Sequence, residues 1–346
     1  MKGRTEHMDI EYLLVLQNLR EATHDFFSPF LMWISDYMIG FWPIAIVCMI
    51  YWVFDRKAGR TIFFGFGLGN LINGALKLSF QVARPWLRDA RVLPYGNSKV
   101  TATGFSFPSG HAAYATSLTG GVAVWLGKLR KEAKLSENTT RRRLYTVLFI
   151  ILTAAVLIVM FSRNYLGVHT PQDVAVGFIT TLVMMLLAKW VEDWTEKDPK
   201  RDIIVMIAGL IVCAAALLFY STIHIEPVFN EEGAMIVNPV KIVADAYQGI
   251  GFVSAYVICR YFSKRHFITK QSRKDRFIFG VFALIPLYLW CRYFFPVIAP
   301  VNRMLAYFLL HGGIVVYTMI IAPWIMSKIH LSKTADEPGE DSAEKA

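Results

Sequence analysis

Nine apolar runs of about 20 residues, near 34–54, 61–80, 109–127, 144–162, 172–190, 203–220, 246–262, 276–295 and 304–326, set the first constraint on this chain. A run of that length is what a helix needs to cross the hydrocarbon core of a bilayer. Once there, every backbone amide must be bonded within the protein, which leaves helices or a closed barrel. The runs are continuous rather than alternating, so helices are expected. With 55% hydrophobic residues in 346, the chain holds more apolar sequence than a soluble domain of this size buries. The expected fold is all-α, a multi-pass transmembrane helical bundle.

The formal charge of +10 raises the question of a nucleic-acid partner, but the basic residues lie in loops that alternate with the apolar runs. Segments 55–60, 128–143, 191–202, 263–276 and 327–346 together carry 22 Lys and Arg, against ten in 1–27, 81–108, 163–171, 221–245 and 296–303. The heavier set is expected on the cytoplasmic side. That places the C-terminus in the cytoplasm and the N-terminus outside, in the cell membrane, with no nucleic-acid partner. The first residues lack the charged, apolar and small-residue succession of a cleavable signal, so none is expected. Cys48, Cys213, Cys259 and Cys291 all fall in apolar runs without metal-type spacing and read as packing residues.

Five regions follow from this pattern. Residues 1–33 are an N-terminal segment in which Ile10, Leu13, Leu14, Leu16 and Leu19 recur at near-helical spacing, expected as an interfacial amphipathic helix with packing on the bundle as the other reading. Residues 34–60 hold the first span and a cytoplasmic loop, 61–190 a core, 191–326 further C-terminal spans, and 327–346 an acidic, polar cytoplasmic tail expected to be disordered.

Three polar blocks interrupt the core, all at the rim assigned to the outside. In the first, Asn70, Asn73 and Lys77 share one helical face, and an ammonium at that depth is costly enough to be a functional candidate, with snorkelling to the interface as the other reading. Arg84 follows two turns on, and Pro85 should end the helix there. In the second block, Pro108 fits a first helical position, so the amides of Ser109, Gly110 and His111 would face an anion; a plain helix start explains all but the histidine. In the third, Thr170 and Asp173 have the spacing of a capping box. Asp173 is also four residues beyond His169 and can orient its imidazole. Arg163 adds a cation to the same loop. Cations and helix-start amides hold an oxyanion, one oriented imidazole attacks and a second moves a proton, which describes phosphoryl transfer with no metal and no cofactor.

The spacing of Lys77, Arg84 and Pro85, the run Pro108, Ser109, Gly110, His111, and Ser162 and Arg163 followed by His169 and Asp173 resemble the full motif set of the type 2 phosphatidic acid phosphatase (PAP2) superfamily. The resemblance implies a helical-bundle phosphatase, related in its catalytic core to vanadium haloperoxidases, working through a phosphohistidine. It implies that His169 is the nucleophile, Asp173 its orienting partner and His111 the acid and then the base. Lys77, Arg84, Ser109, Gly110 and Arg163 would bind the substrate phosphate. Nine spans with an outside N-terminus resemble glucose-6-phosphatase, whereas Asp173 is closer to the lipid-phosphatase pattern. The expected substrate is a lipid phosphate of the phosphatidic acid, sphingoid-base phosphate or isoprenoid phosphate class, met among membrane lipids at the extracytoplasmic face. An isoprenyl diphosphate or a soluble sugar phosphate is the alternative within the enzyme reading; a transporter or anionic-lipid-binding protein is the alternative outside it.

Overall fold

The computed structural model describes residues 2–101, 104–229, 235–266 and 271–329. The tail from 330 onward lies outside the described residues, as do residues 230–234. In chain order the helices are α1 (Lys2–Ala22), α2 (Ser28–Tyr37), α3 (Phe41–Met49), α4 (Arg56–Phe80), α5 (Pro85–Arg88), α6 (Ser98–Thr101), α7 (Gly110–Tyr114), α8 (Gly120–Leu135), α9 (Thr139–Tyr165), α10 (Pro171–Glu196), α11 (Arg201–Thr222), α12 (Pro239–His266), α13 (Arg273–Ile298), α14 (Arg303–Val316) and α15 (Ala322–Lys328). A small antiparallel pair, β1 (Val228–Phe229) and β2 (Met235–Val237), joins α11 to α12. Wide, π-type turns at Ala115–Thr119 and Tyr317–Ile321 link α7 to α8 and α14 to α15. The fold is an all-α, multi-pass bundle.

Side-chain caps mark where several of the long helices begin. Asp55 accepts from Ala58 N at 2.9 Å, Asn138 from Arg141 N at 3.0 Å, Ser272 from Asp275 N at 3.2 Å and Asn302 from Leu305 N at 2.9 Å. Each satisfies an amide that the first turn leaves without an intrahelical acceptor. α4 is the central rod, packed along α10 on one flank and α12 on another. Contact with α12 is backbone to backbone: a Cβ at Gly249 would sit 2.5 Å from Leu71 Cα, so only glycine fits there. Tyr51, Trp52, Phe63, Phe66, Phe252 and Tyr256 fill the interior around it.

Outer faces of α9, α11 and α13 are bare hydrocarbon, with Leu144, Ile150, Ile211, Leu218 and Phe282 among the exposed side chains. Patches that large on a soluble protein would drive association, whereas lipid covers them without cost. Among the described residues, six helices are long and apolar enough to cross a membrane, or seven if α2 with the α3 rod, bent by 45°, counts as one span. The nine-span topology is therefore not supported by length and composition. The two expected spans that fall short are 61–80, in α4, and 109–127, in α7 and α8. Both are wrapped by other helices, so asparagines, glycines and a lysine are tolerated where a lipid-facing rod would need continuous apolar residues.

Two other expectations change. α1 packs one face, Ile10 and Leu13, on Val92. Arg88 pairs with Asp9 at 3.0 Å and Arg91 with Glu11 at 2.9 Å, so α1 is bolted to the end of α5 and the loop after it. Met8, Val15 and Leu19 on its other face remain exposed, which leaves room for contact with an interface as well. The loop expected over 221–245 is shorter, because α12 already begins at Pro239.

Candidate active site

The three polar blocks converge at one end of the bundle. α9 ends with Ser162, Arg163, Asn164 and Tyr165, and the chain reverses at Gly167, whose φ of +73° is a left-handed conformation that glycine adopts without strain. This short return fixes the backbone of His169: its amide donates to Arg163 O at 3.2 Å, and its carbonyl accepts from Asn164 Nδ2 at 2.9 Å.

Thr170 then caps α10 in a full capping box with Asp173. Thr170 N donates to Asp173 Oδ2 at 2.8 Å, and Asp173 N to Thr170 Oγ1 at 3.4 Å. The same Oδ2 lies 3.4 Å from His169 Nδ1. Capping and orienting, which the sequence poses as alternatives, are thus two uses of one oxygen. Ser106, which the sequence reading passed over, donates its hydroxyl to this oxygen at 2.5 Å and stands 3.5 Å from His169 Nδ1. All of these groups are buried, with His169 and Asp173 each 2% exposed.

Arg84 approaches from the other ring nitrogen. It caps α5 in an extended conformation ahead of Pro85, as a residue before proline prefers. Its guanidinium donates to Gly104 O and Val168 O, each at 3.0 Å, and its Nη1 is 3.0 Å from His169 Nε2. Guanidinium nitrogens only donate, so Nε2 is the accepting nitrogen and Nδ1 carries the hydrogen toward Asp173. Burial first, and the charge of Arg84 second, hold the His169 imidazole well below its ordinary pKa despite Asp173, which keeps the ring neutral at pH 7. Burial likewise lowers Arg84, to about 10, and leaves it charged.

Lys77 completes the inner wall from the last turn of α4, its Nζ donating to Phe105 O at 2.9 Å. α7 begins at Gly110 rather than at Pro108. Ser109 is its cap, with Ala112 N donating to Ser109 Oγ at 3.4 Å, and the Ser109 amide is bonded to Asp173 O at 2.9 Å. Ser109 is therefore engaged twice by the protein, while Gly110 meets open space: a Cβ there would find nothing within 4 Å. The start of α7 is pressed onto α10 at Gly177, where a Cβ would lie 2.6 Å from Ser109 O.

Two groups remain incomplete. Arg163, 1% exposed, bonds Ser35 Oγ through Nη1 at 2.8 Å, but its Nε and Nη2 are buried with no partner among the described residues. His111 Nε2 is likewise buried without a hydrogen bond, and the nearest counter-charge, Asp36 Oδ1 of α2, is 3.9 Å away. Buried donors without acceptors are costly, most of all when charged. An anion is the kind of group that could accept from these donors. Among the described residues no group of three or more His, Cys, Asp or Glu is placed to hold a metal ion. A larger cavity of about 640 Å³, between α12, α13 and α14, is walled almost wholly by apolar side chains and has none of these groups.

Of the residues named from sequence, His169 touches both Asp173 and Arg84, Ser109 joins them through Asp173, and Lys77 and Gly110 line one cavity with Asn70 and Asn73. The basic residues Arg88 and Arg91 point away, into their pairs with α1 and Asp89. Asp36, Ser35, Ser106, Asp245 and Gln248 enter the site without having been singled out for it.

Residues 58–197 match the model of the PAP2 superfamily, so α4 to α10 form a PAP2 superfamily domain. Phosphatidylglycerophosphatase B of Bacillus subtilis (strain 168) is 29% identical over 172 residues, covering 45% of this chain and 74% of that protein. No solved structure matches. The chain is a phosphatase, a phosphoric ester hydrolase carried by a membrane-spanning bundle.

Proposed function

We propose that this membrane-spanning phosphatase, built on its PAP2 superfamily domain, removes the terminal phosphate of a lipid phosphate through a phosphohistidine at His169, on the extracytoplasmic side and without a metal. The observation that carries the reading is the pair of buried donors on Arg163 and the His111 Nε2, which have no hydrogen-bond partner among the described residues, within a cluster that also holds Lys77 and Arg84. A dianionic phosphoryl group would supply the missing acceptors, and three cations there do what a metal ion does elsewhere. A lipid fits because the cluster lies at the end of helices whose sides face hydrocarbon, and because the Bacillus relative is a phosphatidylglycerophosphatase.

In the first step the lone pair on His169 Nε2 attacks phosphorus, displacing Arg84 Nη1 from the ring onto a phosphoryl oxygen. The phosphorus bond to the leaving oxygen breaks, and His111 protonates that oxygen. Asp173 holds the Nδ1 hydrogen and stabilises the charged ring. In the second step His111 takes a proton from water, the oxygen attacks phosphorus, and the bond to Nε2 breaks to give inorganic phosphate and neutral His169. Asp36, facing His111, is a counter-charge for its imidazolium.

Rapid quench of the purified protein with a radiolabelled lipid phosphate tests the intermediate. An acid-labile, base-stable label on His169 is expected. Turnover without any trapped label, under conditions where formation outpaces breakdown, would remove the covalent step. Protease accessibility of the loop around His224 and Glu226, which are exposed between α11 and α12, tests the side of the membrane in sealed, oriented vesicles, with cleavage expected from outside.

A further inference from the structure

Ser35 and Asp36 are neighbours near the end of α2, outside residues 58–197 that match the PAP2 superfamily, yet each addresses a group of the site. Packing sets them there. Leu31, one turn earlier, is buried with Tyr165, Leu166 and Val168 of the return that carries His169, and Ser35 Oγ accepts from Arg163 Nη1 at 2.8 Å. Asp36 Oδ1 then comes within 3.9 Å of His111 Nε2, and both atoms are buried with no hydrogen-bond partner among the described residues. A carboxylate oxygen without a donor faces an imidazole nitrogen without a partner, and one proton on that nitrogen turns the two into an ion pair.

The proposed reaction creates a need at this spot. His111 gives a proton to the leaving oxygen in the first step and takes one from water in the second, so each cycle ends, and the next begins, with the charged ring. Between turnovers that charge has to persist with no phosphate beside it. The surroundings work against it. His111 is buried, and Arg163 of α9 and Arg84 ahead of α5 act on it with like charge. Lys77 of α4 and the His169–Asp173 pair at the start of α10 belong to the same cluster. Burial and like charge both favour loss of the proton. Asp173 is already engaged by Thr170 N, Ser106 and His169. Among the described residues, Asp36 is the carboxylate within 4 Å of His111.

Resting on that phosphohistidine route, we infer that Asp36 is a positioning residue that keeps the proton on His111 between turnovers, so that the first step meets a charged ring. It adds no covalent step: the proton waits on Nε2, passes to the leaving oxygen and is replaced from water. A helix outside the family match thereby readies the acid of the family's own motif. Removing the Asp36 charge lets His111 lose its proton at a lower pH. The alkaline limb of kcat/KM, which reports the free enzyme, then moves down, and the loss falls on esters whose leaving oxygen needs protonation.

The test uses the full-length protein in detergent micelles and two monoesters: dodecyl phosphate, whose leaving alkoxide needs a proton, and 4-nitrophenyl phosphate, whose leaving phenolate does not. In Asp36→Asn, kcat/KM on dodecyl phosphate should fall at least about tenfold near pH 8 and recover toward wild type as the pH is lowered. On 4-nitrophenyl phosphate it should stay within about threefold. Asp36→Glu should restore most of the loss. Ser35→Ala, which frees Arg163 from the same helix, should lower both esters alike at every pH, and so shows what a disturbed α2 does by itself. Equal losses on both esters in Asp36→Asn, or an alkaline limb that stays in place, overturn the inference. His111→Ala separates Asp36 from the acid it serves. A loss confined to dodecyl phosphate in His111→Ala and absent in Asp36→Asn sinks the role of Asp36 and leaves the proposed reaction standing. Equal losses on both esters in His111→Ala remove the acid assignment and the inference with it. If wild type turns over dodecyl phosphate alone, the position of the alkaline limb decides.

Discussion

The bundle buries two charge clusters, one at each end, and they are built on the same rods. At the end away from the site, Glu192 of α10 takes Arg60 of α4 at 3.1 Å and Arg260 of α12 at 2.7 Å, together with the Tyr256 hydroxyl at 2.7 Å. Arg260 also pairs with Asp202 of α11, which Lys264 reaches at 3.3 Å. Here cations and anions close on one another, and Glu192 is fully buried with its oxygens engaged. At the other end, where Lys77, Arg84 and Arg163 gather, two guanidinium nitrogens of Arg163 and an imidazole nitrogen of His111 are buried with no partner among the described residues. Equal burial with unequal satisfaction separates the two: the first cluster fixes how helices sit, and under the proposed function the second takes its remaining acceptors from the substrate phosphate.

Substitutions should therefore split by end. His169→Ala should lower turnover by about 10⁴-fold or more while thermal unfolding of the detergent-solubilised protein is unchanged; residual activity within tenfold of wild type would return the nucleophile to question. Glu192→Ala should do the reverse, lowering stability by about 3–5 kcal/mol because two buried guanidinium groups lose their acceptor, with kcat near normal in whatever remains folded. Arg163→Met should cost about 10²–10³-fold in kcat/KM and weaken inhibition by vanadate, yet leave the melting temperature unchanged or raised, since it removes an uncompensated charge. A large loss of stability in Arg163→Met would erase the contrast. Ser106→Ala should cost roughly tenfold in kcat with little change in KM, as expected for a group that holds Asp173 rather than the substrate. EDTA should change the rate hardly at all, and strict recovery by magnesium would show that the cations do not suffice.

Local spacing made part of the site legible. His169 and Asp173 are one helical turn apart across a cap, so their meeting needed only the geometry of a helix start. Lys77 and Asn73 share a face for the same reason. The partners that were missed arrive from far along the chain: Ser35 is 128 residues from Arg163, Ser106 is 67 from Asp173, and Gln248 is 134 from Tyr114. Periodicity carries no record of such meetings. Asp36 did leave a trace, a carboxylate in an apolar run, which is costly enough in a membrane to ask for a function. The all-α bundle was legible from run lengths, while the nine spans read from them are not confirmed by the six or seven helices that qualify among the described residues. A helix enclosed by its neighbours, as α4 is, escapes the hydrophobic requirement on which counting depends.

α12 belongs to both clusters, with Asp245 and Gln248 at one end and Arg260 and Lys264 at the other, about 28 Å apart along a single rod. Excising residues 58–197 as a minimal enzyme would strip away the wall opposite Lys77 and simultaneously strand Glu192 with half its counter-ions. The segment that supplies no member of the catalytic motif is thus an internal strut, and a truncation placed at the edge of the family match cuts through the working machine instead of around it.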